Sequence, residues 1–233
     1  MNSYFFTIKL KSQKGFTLVE LSIVIVIIGL IVAGVVGGQT LVKQAKLRSV
    51  IADVYKVQTA LNAFYLEYAA LPGDMPNASD FWTGAYDGNG NNRIDQGANT
   101  ETLAVWTHLH LSEILLQQGT NENRPSPIAG TRYLHWYHPA GVYGKVANSL
   151  NMLGTSGGGP WPGALVAKDT ITIDKKMDDG LADSGVMRSA KGLGRPADQC
   201  TQGANQYNAT SAVYNLTDTT QQACWIMFFI WPK

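Results

Sequence analysis

The chain has 233 residues, which is enough for one globular domain of ordinary size with an appended element. Charged residues make up 15% of the composition and the formal net charge is +1, so neither a basic nucleic-acid-binding face nor an acidic tail is indicated. The 24 glycines and the 10% aromatic content favour a loop-rich domain outside the cytosol.

The N-terminus combines a short basic segment with a long apolar run. Lys9, Lys11 and Lys14 precede the run, which extends from Phe16 to Gly38. About 20 apolar residues cross a bilayer as a helix, so this segment is long enough to span one. An ordinary secretory signal has its small-residue cleavage site after the apolar region, whereas Gly15 stands before it here. Cleavage at Gly15 would therefore leave the apolar helix on the mature protein.

Glu20 is the one acidic residue inside this apolar run. A carboxylate near the centre of a bilayer costs roughly 2.5–3.5 kcal/mol on insertion scales, and ionisable residues in such segments are functional candidates by default. We therefore expect Glu20 to have a partner.

The apolar pattern changes character after the predicted membrane span. Apolar residues then recur at alternating steps of three and four, which places them on one face of a helix; they are Leu47, Val50, Val54, Val57, Leu61, Phe64 and Tyr68. Pro72-Gly73 ends the pattern. The sequence therefore predicts a single helix over 16–70, apolar all round in its first half and amphipathic in its second.

Residues 14–21, KGFTLVEL, resemble the processing and assembly signature of type IV pilins and the related pseudopilins. The resemblance implies that a prepilin peptidase cuts between Gly15 and Phe16 and methylates the new amine of Phe16. It also implies that Glu20 acts in subunit addition, by neutralising the Phe16 amine of a neighbouring subunit in an apolar layer. The alternative interpretation is a single-pass anchor whose Glu20 reaches the membrane interface.

One departure from the family pattern concerns helix shape. Many family members have a proline about two turns after the position of Gly29, and this chain has Gly34, Gly37 and Gly38 in that region instead. Each glycine weakens a helix by about 1 kcal/mol relative to alanine, so local melting stays an option while a proline kink is in doubt.

An Asp/Asn-rich stretch follows the long helix and has the alternation of a calcium loop of the EF-hand kind. Asp87, Asn89, Asn91 and Asp95 would supply side-chain oxygens, and Arg93 would supply its carbonyl. Calcium is therefore a candidate cofactor, although the resemblance requires none. Since type II secretion pseudopilins frequently bind calcium in a loop, the family resemblance agrees with this expectation.

Two positions weaken the calcium interpretation. Asn92 stands where glycine is usual, and Ala98 stands where a bidentate glutamate should close the shell; Glu101, Asp80 or Asp74 could substitute for it. The alternative is a solvated Asn/Gly turn without an ion.

The C-terminal region predicts an antiparallel sheet that covers the apolar stripe of the helix. The expected strands are Thr131–Tyr137, Val142–Ala147, part of Leu165–Ile173, Val186–Ala190 and Cys224–Ile230. Cys200 and Cys224 are the only cysteines, and they can close a disulfide outside the reducing cytosol; two buried free thiols are the alternative. A helix is expected from about Thr100 to Gln118, with Leu103, Trp106, Leu111, Ile114 and Leu115 on its buried side.

Other patterns in the chain favour structural roles. The aspartates of IDKKMDDGLADSG, namely Asp174, Asp178, Asp179 and Asp183, form a second cation candidate, for which a capped turn is the preferred interpretation. GTSGG contains a G-x-S-x-G pattern at Ser156 but lacks the strand and helix of a nucleophile elbow. The histidine pairs 108/110 and 135/138 lack further ligands at zinc spacing.

The predicted fold class is α+β and pilin-like: a long N-terminal helix packed on an antiparallel sheet, with a disulfide-closed C-terminal region. The predicted segments are a cleaved leader (1–15), the assembly helix (16–70), a connecting region (71–130) and the sheet region (131–233). The expected function is that of a non-enzymatic structural subunit of a type IV pilus or pilus-like filament. A pseudopilin of type II secretion is the alternative, and a membrane-tethered hydrolase is a less favoured third interpretation. The expected partners are other filament subunits, the prepilin peptidase, the inner-membrane assembly machinery and the lipid bilayer, with no nucleic acid; the expected location is the inner membrane and then the filament.

Overall fold

The computed structural model describes residues 15–95, 101–116, 124–138, 145–155, 162–192, 199–202, 212–217 and 221–231. Its contacts divide the chain into two units, 1–44 and 45–233. Helix α1, Leu18–Tyr68, contributes to both units. The other described helices, α2 (Ala78–Phe81), α3 (Glu101–Leu111) and α4 (Ala167–Met177), belong to the second unit.

In the first unit, α1 is an isolated apolar helix. It contains a window with a mean hydropathy of 2.9 of which no part is buried, so by length and composition it could cross a membrane. The helix continues through Gly29, Gly34, Gly37 and Gly38, and none of these glycines has a neighbouring atom close to where a Cβ would stand. The helix is therefore continuous through this region, and local melting during assembly stays a prediction.

In the second unit, α1 provides the apolar face on which the domain is built. The predicted stripe is buried from Leu47 to Phe64, and Tyr68 is half-buried at its end. The helix stops at Tyr68 because Ala69 adopts a left-handed backbone conformation (φ 51°) and Pro72 follows. Gly73 also has a positive φ of 93°, and a Cβ there would lie 2.7 Å from the Glu101 carbonyl oxygen. Only glycine fits this turn without a shift of α3.

The sheet of the second unit has five antiparallel strands in the order β1-β2-β3-β7-β4. The strands are β1 (Arg124–Pro125), β2 (Thr131–Tyr137), β3 (Asn148–Gly154), β4 (Met187–Lys191) and β7 (Cys224–Phe228). A separate two-stranded sheet pairs β5 (Thr201–Gln202) with β6 (Val213–Tyr214). The predicted antiparallel sheet, and with it the α+β architecture, is confirmed.

Strand β7 lies inside the sheet, between β3 and β4, and is buried on both faces. Ile226 and Phe228 belong to the cluster that contains the α1 stripe, whereas Trp225 and Met227 belong to a second cluster on the other side. An apolar run on both faces is the pattern expected of a fully buried strand. Every residue of β7 is buried, and the same holds for β3.

One predicted strand is wrong, a second falls partly outside the described residues, and one strand was not predicted. The region of Leu165–Ile173 forms helix α4 from Ala167 onward, and only Leu165 makes a bridge, to Cys224. Of the strand expected over Val142–Ala147, residues 142–144 lie outside the described residues. Strand β3, which begins at Asn148, was not predicted because buried polar residues interrupt the apolar alternation on which strand prediction depends.

The helix expected within 100–118 is present as α3, but its buried side differs from the prediction. Trp106 is buried as expected, while Leu103 and Leu111 are only half-buried. The buried positions of α3 are Glu101, Ala104, Val105, Trp106, His108 and Leu109. Leu115, which follows α3, is also buried as expected. Two polar side chains, Glu101 and His108, occupy buried positions that the prediction did not include.

The disulfide Cys200–Cys224 is confirmed, with a separation of 24 residues along the chain. It joins the segment before β5 to the first residue of β7, an interior strand of the sheet. Both cysteines are fully buried in a small cluster with Ala167 and Ala223. The C-terminal region is therefore closed covalently onto the middle of the sheet.

A buried ion pair connects α1 with the edge strand β1. The guanidinium of Arg124 donates to both carboxylate oxygens of Asp53, over 2.7 and 2.6 Å. The Arg124 side chain is 1% exposed, and its charge also lies over the rings of Trp106 and Tyr133. The pair fixes the register between the amphipathic part of the helix and the sheet.

Candidate processing and assembly site

The predicted cleavage position lies just before helix α1. Gly15, Phe16 and Thr17 are outside the helix, which begins at Leu18. Phe16 is 90% exposed, and no atom stands within 4 Å of where a Gly15 Cβ would be. Because a peptidase must bind its substrate in an extended form, a non-helical and uncovered Gly15–Phe16 bond suits cleavage.

Glu20 folds back onto the start of its own helix. Its Oε2 accepts hydrogen bonds from the Thr17 backbone amide (2.8 Å) and from the Thr17 hydroxyl (2.9 Å). The Glu20 amide in turn donates to Thr17 Oγ1 over 3.2 Å. This reciprocal arrangement is a capping box, in which two of the unpaired amides at a helix start are satisfied by side chains.

The capping box was missed in the sequence analysis, although its signal is present. Thr17-Leu18-Val19-Glu20 fits the T-x-x-E pattern that precedes an apolar helix. The finding gives Glu20 a local structural role beside the predicted assembly role. It does not supply a positive charge, because within residues 15–95 and the other described ranges no cation forms an ion pair with Glu20.

The surface around this site is almost wholly apolar. Large apolar side chains from Phe16 to Val42 are half or more exposed; they include Leu18, Ile25, Val26, Leu30, Ile31 and Leu41. A contiguous exposed apolar surface of this size marks a membrane or protein contact. The N-terminal helix and the prepilin-type pattern are thus compatible with anchoring in the inner membrane before assembly.

The Asp/Asn loop predicted to bind calcium is held by two buried carboxylates that lie outside it. Asp74 accepts the amides of Gly90 (2.8 Å), Asn91 (3.1 Å) and Asn92 (2.6 Å). Burial raises the pKa of Asp74, while the amide hydrogen bonds act in the opposite direction. Asn92 has a positive φ of 61°, as expected for asparagine at the usual glycine position.

The Glu101 carboxylate also accepts backbone amides of this loop. Its Oε1 accepts the Asn89 amide over 3.1 Å and its Oε2 accepts the Asp95 amide over 2.8 Å. Burial also raises the pKa of Glu101. Both residues were named from the sequence only as substitutes for a missing ligand, and the structure places them as acceptors for backbone amides.

The predicted loop ligands are divided between two places. Asn89 and Asn91 both donate their side-chain amides to Asp95 Oδ2 over 2.9 Å, so these three side chains lie together. Arg93 follows within the same turn, where its amide donates to Asn91 Oδ1 over 2.8 Å. Asp87 instead accepts the Ser79 amide and hydroxyl, each over 2.8 Å.

Two of the histidines considered as zinc ligands, His108 and His138, form hydrogen bonds within the fold. His108 Nδ1 accepts the Gly73 amide over 2.9 Å, which leaves Nε2 as the donor to the Tyr86 carbonyl oxygen over 2.8 Å. Burial lowers the pKa of His108 and lowers that of His138 to about 4. His138 Nε2 bonds Ser149 Oγ over 2.7 Å. Ser156, the rival nucleophile, lies outside the described residues.

Comparison with known proteins identifies the N-terminal segment. Residues 10–36 match the family model of the prokaryotic N-terminal methylation motif. No curated protein and no solved structure matches the chain. The matched residues contain Gly15, Phe16 and Glu20 and run into the exposed apolar part of α1. The chain therefore carries the type IV prepilin-type signature, the mark of pilin-like and pseudopilin-like proteins, which are generally structural.

Proposed function

We propose that this protein is a structural subunit of a type IV pilus or pilus-like filament, cut between Gly15 and Phe16 and polymerised through the apolar part of α1. The observation that carries the proposal is the exposed apolar part of α1, which has a single carboxylate, Glu20, and matches the methylation motif. No catalytic role is proposed. The partners would be identical or related subunits, the prepilin peptidase and the inner-membrane assembly machinery.

The charge of Glu20 supports the assembly role. Cleavage would create a cationic amine on Phe16 in an environment of lipid or packed apolar helices, and either buried charge alone is costly. The capping box engages Oε2 of Glu20, and no described residue contacts Oε1 by a hydrogen bond. A neighbouring subunit's amine can therefore bind the carboxylate while the cap stays formed.

Mass spectrometry of the mature protein from membranes tests the processing step. We expect a chain that begins at N-methylated Phe16. A chain that retains Met1 in a cell with an active prepilin peptidase would contradict the proposal.

The substitution Glu20→Gln separates the two roles of Glu20. Glutamine is accepted in a capping box, so the helix start is preserved while the negative charge is removed. We expect the variant to be inserted and cut but absent from sheared filaments. The matched control is Glu67→Gln, an exposed carboxylate of the same helix outside the apolar segment, which should assemble normally. Normal incorporation of Glu20→Gln would show that the cap, and not the charge, is what matters.

A pseudopilin of type II secretion is the second candidate function. The observation in its favour is the grouping of Asn89, Asn91 and Asp95 in the loop proposed to bind calcium. To bind calcium, the Asn89 and Asn91 side chains would have to rotate so that their amide oxygens, and not their amide nitrogens, face an ion bound to Asp95. A melting temperature that rises with millimolar calcium in the wild type but not in Asp95→Asn supports this loop as a calcium site. A rise that Asp95→Asn leaves unchanged would exclude it.

A further inference from the structure

Three aspartates at the end of helix α4 bring their carboxylates together. Asp174 lies in the last turn of α4, Asp178 caps the end of the helix, and Asp179 follows. One carboxylate oxygen from each lies within 4.8 Å of one from each of the others. Asp174 is fully buried, Asp178 is half-buried and Asp179 is exposed, so the group extends from the interior to the surface.

The buried member of this group has an unsatisfied oxygen. Tyr214 donates its hydroxyl to Asp174 Oδ2 over 2.7 Å, which fixes the carboxylate. Oδ1 is also buried, and no donor in the described part of the chain reaches it with hydrogen-bonding geometry. Leaving a buried acceptor unpaired costs about 1–3 kcal/mol, and more when it is charged. An acceptor oxygen left open beside two further carboxylates is the arrangement of a cation ligand.

The neighbouring protein charges do not neutralise the group. Within the described ranges, neither lysine nor arginine makes an ion pair with Asp174, Asp178 or Asp179. Lys145 Nζ is directed to the Gly185 carbonyl oxygen, 3.3 Å away. Three carboxylates at this separation repel one another when they are ionised.

We infer that Asp174, Asp178 and Asp179 bind a divalent cation, and that calcium is the ion that fits them best. Calcium takes oxygen ligands at about 2.3–2.6 Å, so two ligands across the ion stand about 4.6–5.2 Å apart. The separation within the group agrees with an ion between the three oxygens. Magnesium needs shorter and more regular distances and keeps most of its water, so a flexible turn with one exposed aspartate suits it less.

Hydrogen bonds already orient the carboxylates of the two turn residues. Asp178 Oδ2 accepts the amides of Val186 and Met187. Asp179 Oδ1 accepts the Leu181 amide and Asp179 Oδ2 accepts the Ser184 hydroxyl, so an ion would use the remaining lone pairs of these oxygens. Hydrogen bonds of this kind orient ligating carboxylates. Since Met187 begins strand β4, a bound ion would tie the end of α4 to the start of that strand.

Terbium luminescence tests this inference on the full chain in detergent micelles. Tb³⁺ occupies calcium sites, and Tyr214, which contacts Asp174 directly, can sensitise it. We expect sensitised emission that calcium displaces and magnesium displaces far less well. Asp179→Asn removes an exposed charge without disturbing the interior, and Asp178→Asn is the second variant. Each should weaken terbium and calcium binding at least about tenfold, because affinity follows the ligand charge.

The controls separate this site from the loop at 87–95. Asp95→Asn should leave the emission and its displacement by calcium unchanged, as should Asp80→Asn, an exposed carboxylate elsewhere. The inference is overturned if wild-type protein gives no displaceable emission, or if folded Asp179→Asn binds terbium as the wild type does. Loss of the signal in Asp95→Asn alone would assign the ion to the other loop.

Discussion

The ion pair between Asp53 and Arg124 is the interaction whose loss we can estimate best. Breaking a buried pair by removing one partner costs about 3–5 kcal/mol, because the remaining charge stays in the interior. Arg124 is 1% exposed and Asp53 is 14% exposed, so the lower end of that range applies. Asp53→Asn should therefore destabilise the protein by about 3 kcal/mol. In a domain of 150–250 residues this lowers the melting temperature by roughly 9 °C.

Near-UV circular dichroism of the full chain in mild detergent measures this melting temperature. Asp80→Asn is the matched control, since it removes an exposed carboxylate and should change the melting temperature by less than about 2 °C. Asp53→Leu/Arg124→Met removes both charges together, and we expect it to be more stable than Asp53→Asn. A double variant that is no better than the single one, or a single variant that behaves like the control, would refute the reasoning.

Three further predictions concern the core, the disulfide and the acid stability of the second unit. Phe64→Ala should cost about 3–5 kcal/mol, because Phe64 is fully buried, whereas Leu66→Ala on the same helix removes a side chain that is 84% exposed and should cost under about 1 kcal/mol; urea unfolding measures both. Replacing Cys200 and Cys224 by alanine should cost about 3.5 kcal/mol by the loop-entropy estimate for 24 residues, and equal stability of variant and wild type under non-reducing conditions would contradict this. Burial lowers the pKa of His138 to about 4, below the ordinary 6.5, so as the pH falls the unfolded chain binds a proton at this histidine before the folded chain does. The folded state is therefore fully stable with respect to this group above about pH 6.5 and loses about 3 kcal/mol of its free energy of unfolding toward pH 4. His138→Gln should make the free energy of unfolding depend less on pH in that window.

The parts of the fold that the sequence predicted correctly are those in which one physical signal dominates. Apolar residues at alternating steps of three and four lie on one face of a helix, and such a face is usually buried. Each buried position of the stripe from Leu47 to Phe64 that follows this spacing was therefore predicted correctly. A short run that is apolar on both faces indicates a strand inside a sheet, and β7 lies between β3 and β4. The two cysteines allow only one intramolecular pairing, and it is formed.

Strand β3 could not be found because its polar residues are satisfied by distant parts of the chain. Asn151 Oδ1 accepts the Trp225 indole N–H over 3.0 Å. Asn148 Oδ1 accepts the Ile94 amide over 2.9 Å, and Ser149 bonds His138. All these side chains are buried, although their residue types are usually exposed. A pattern read along the chain assigns them to the surface, since their partners become visible only in the fold.

Helix α4 was mistaken for a strand for a related reason. Its sequence AKDTITIDKKM contains β-branched residues in alternation, which favours a strand. The residues that are buried are Ala167, Thr170, Ile173 and Asp174, at the helical spacing. One of these positions is a carboxylate, so the apolar pattern of the helix is incomplete. The same feature that hid the helix, a buried Asp174, is what makes the end of α4 a candidate cation site.

The two acidic regions of the domain differ in how their charge is satisfied, and this difference decides which needs an ion more. In the loop at 87–95, five backbone amides point at Asp74 and Glu101, and Asp95 has two side-chain amides as donors. Carboxylates with that many donors are stable as anions without a metal. At the end of α4, Asp178 and Asp179 also have donors, but among the described residues the buried Oδ1 of Asp174 has no hydrogen-bond partner and lies beside these two carboxylates. Although the EF-hand-like spacing pointed to the first region, the unmet charge lies in the second, where a cation removes both the repulsion and the unpaired acceptor.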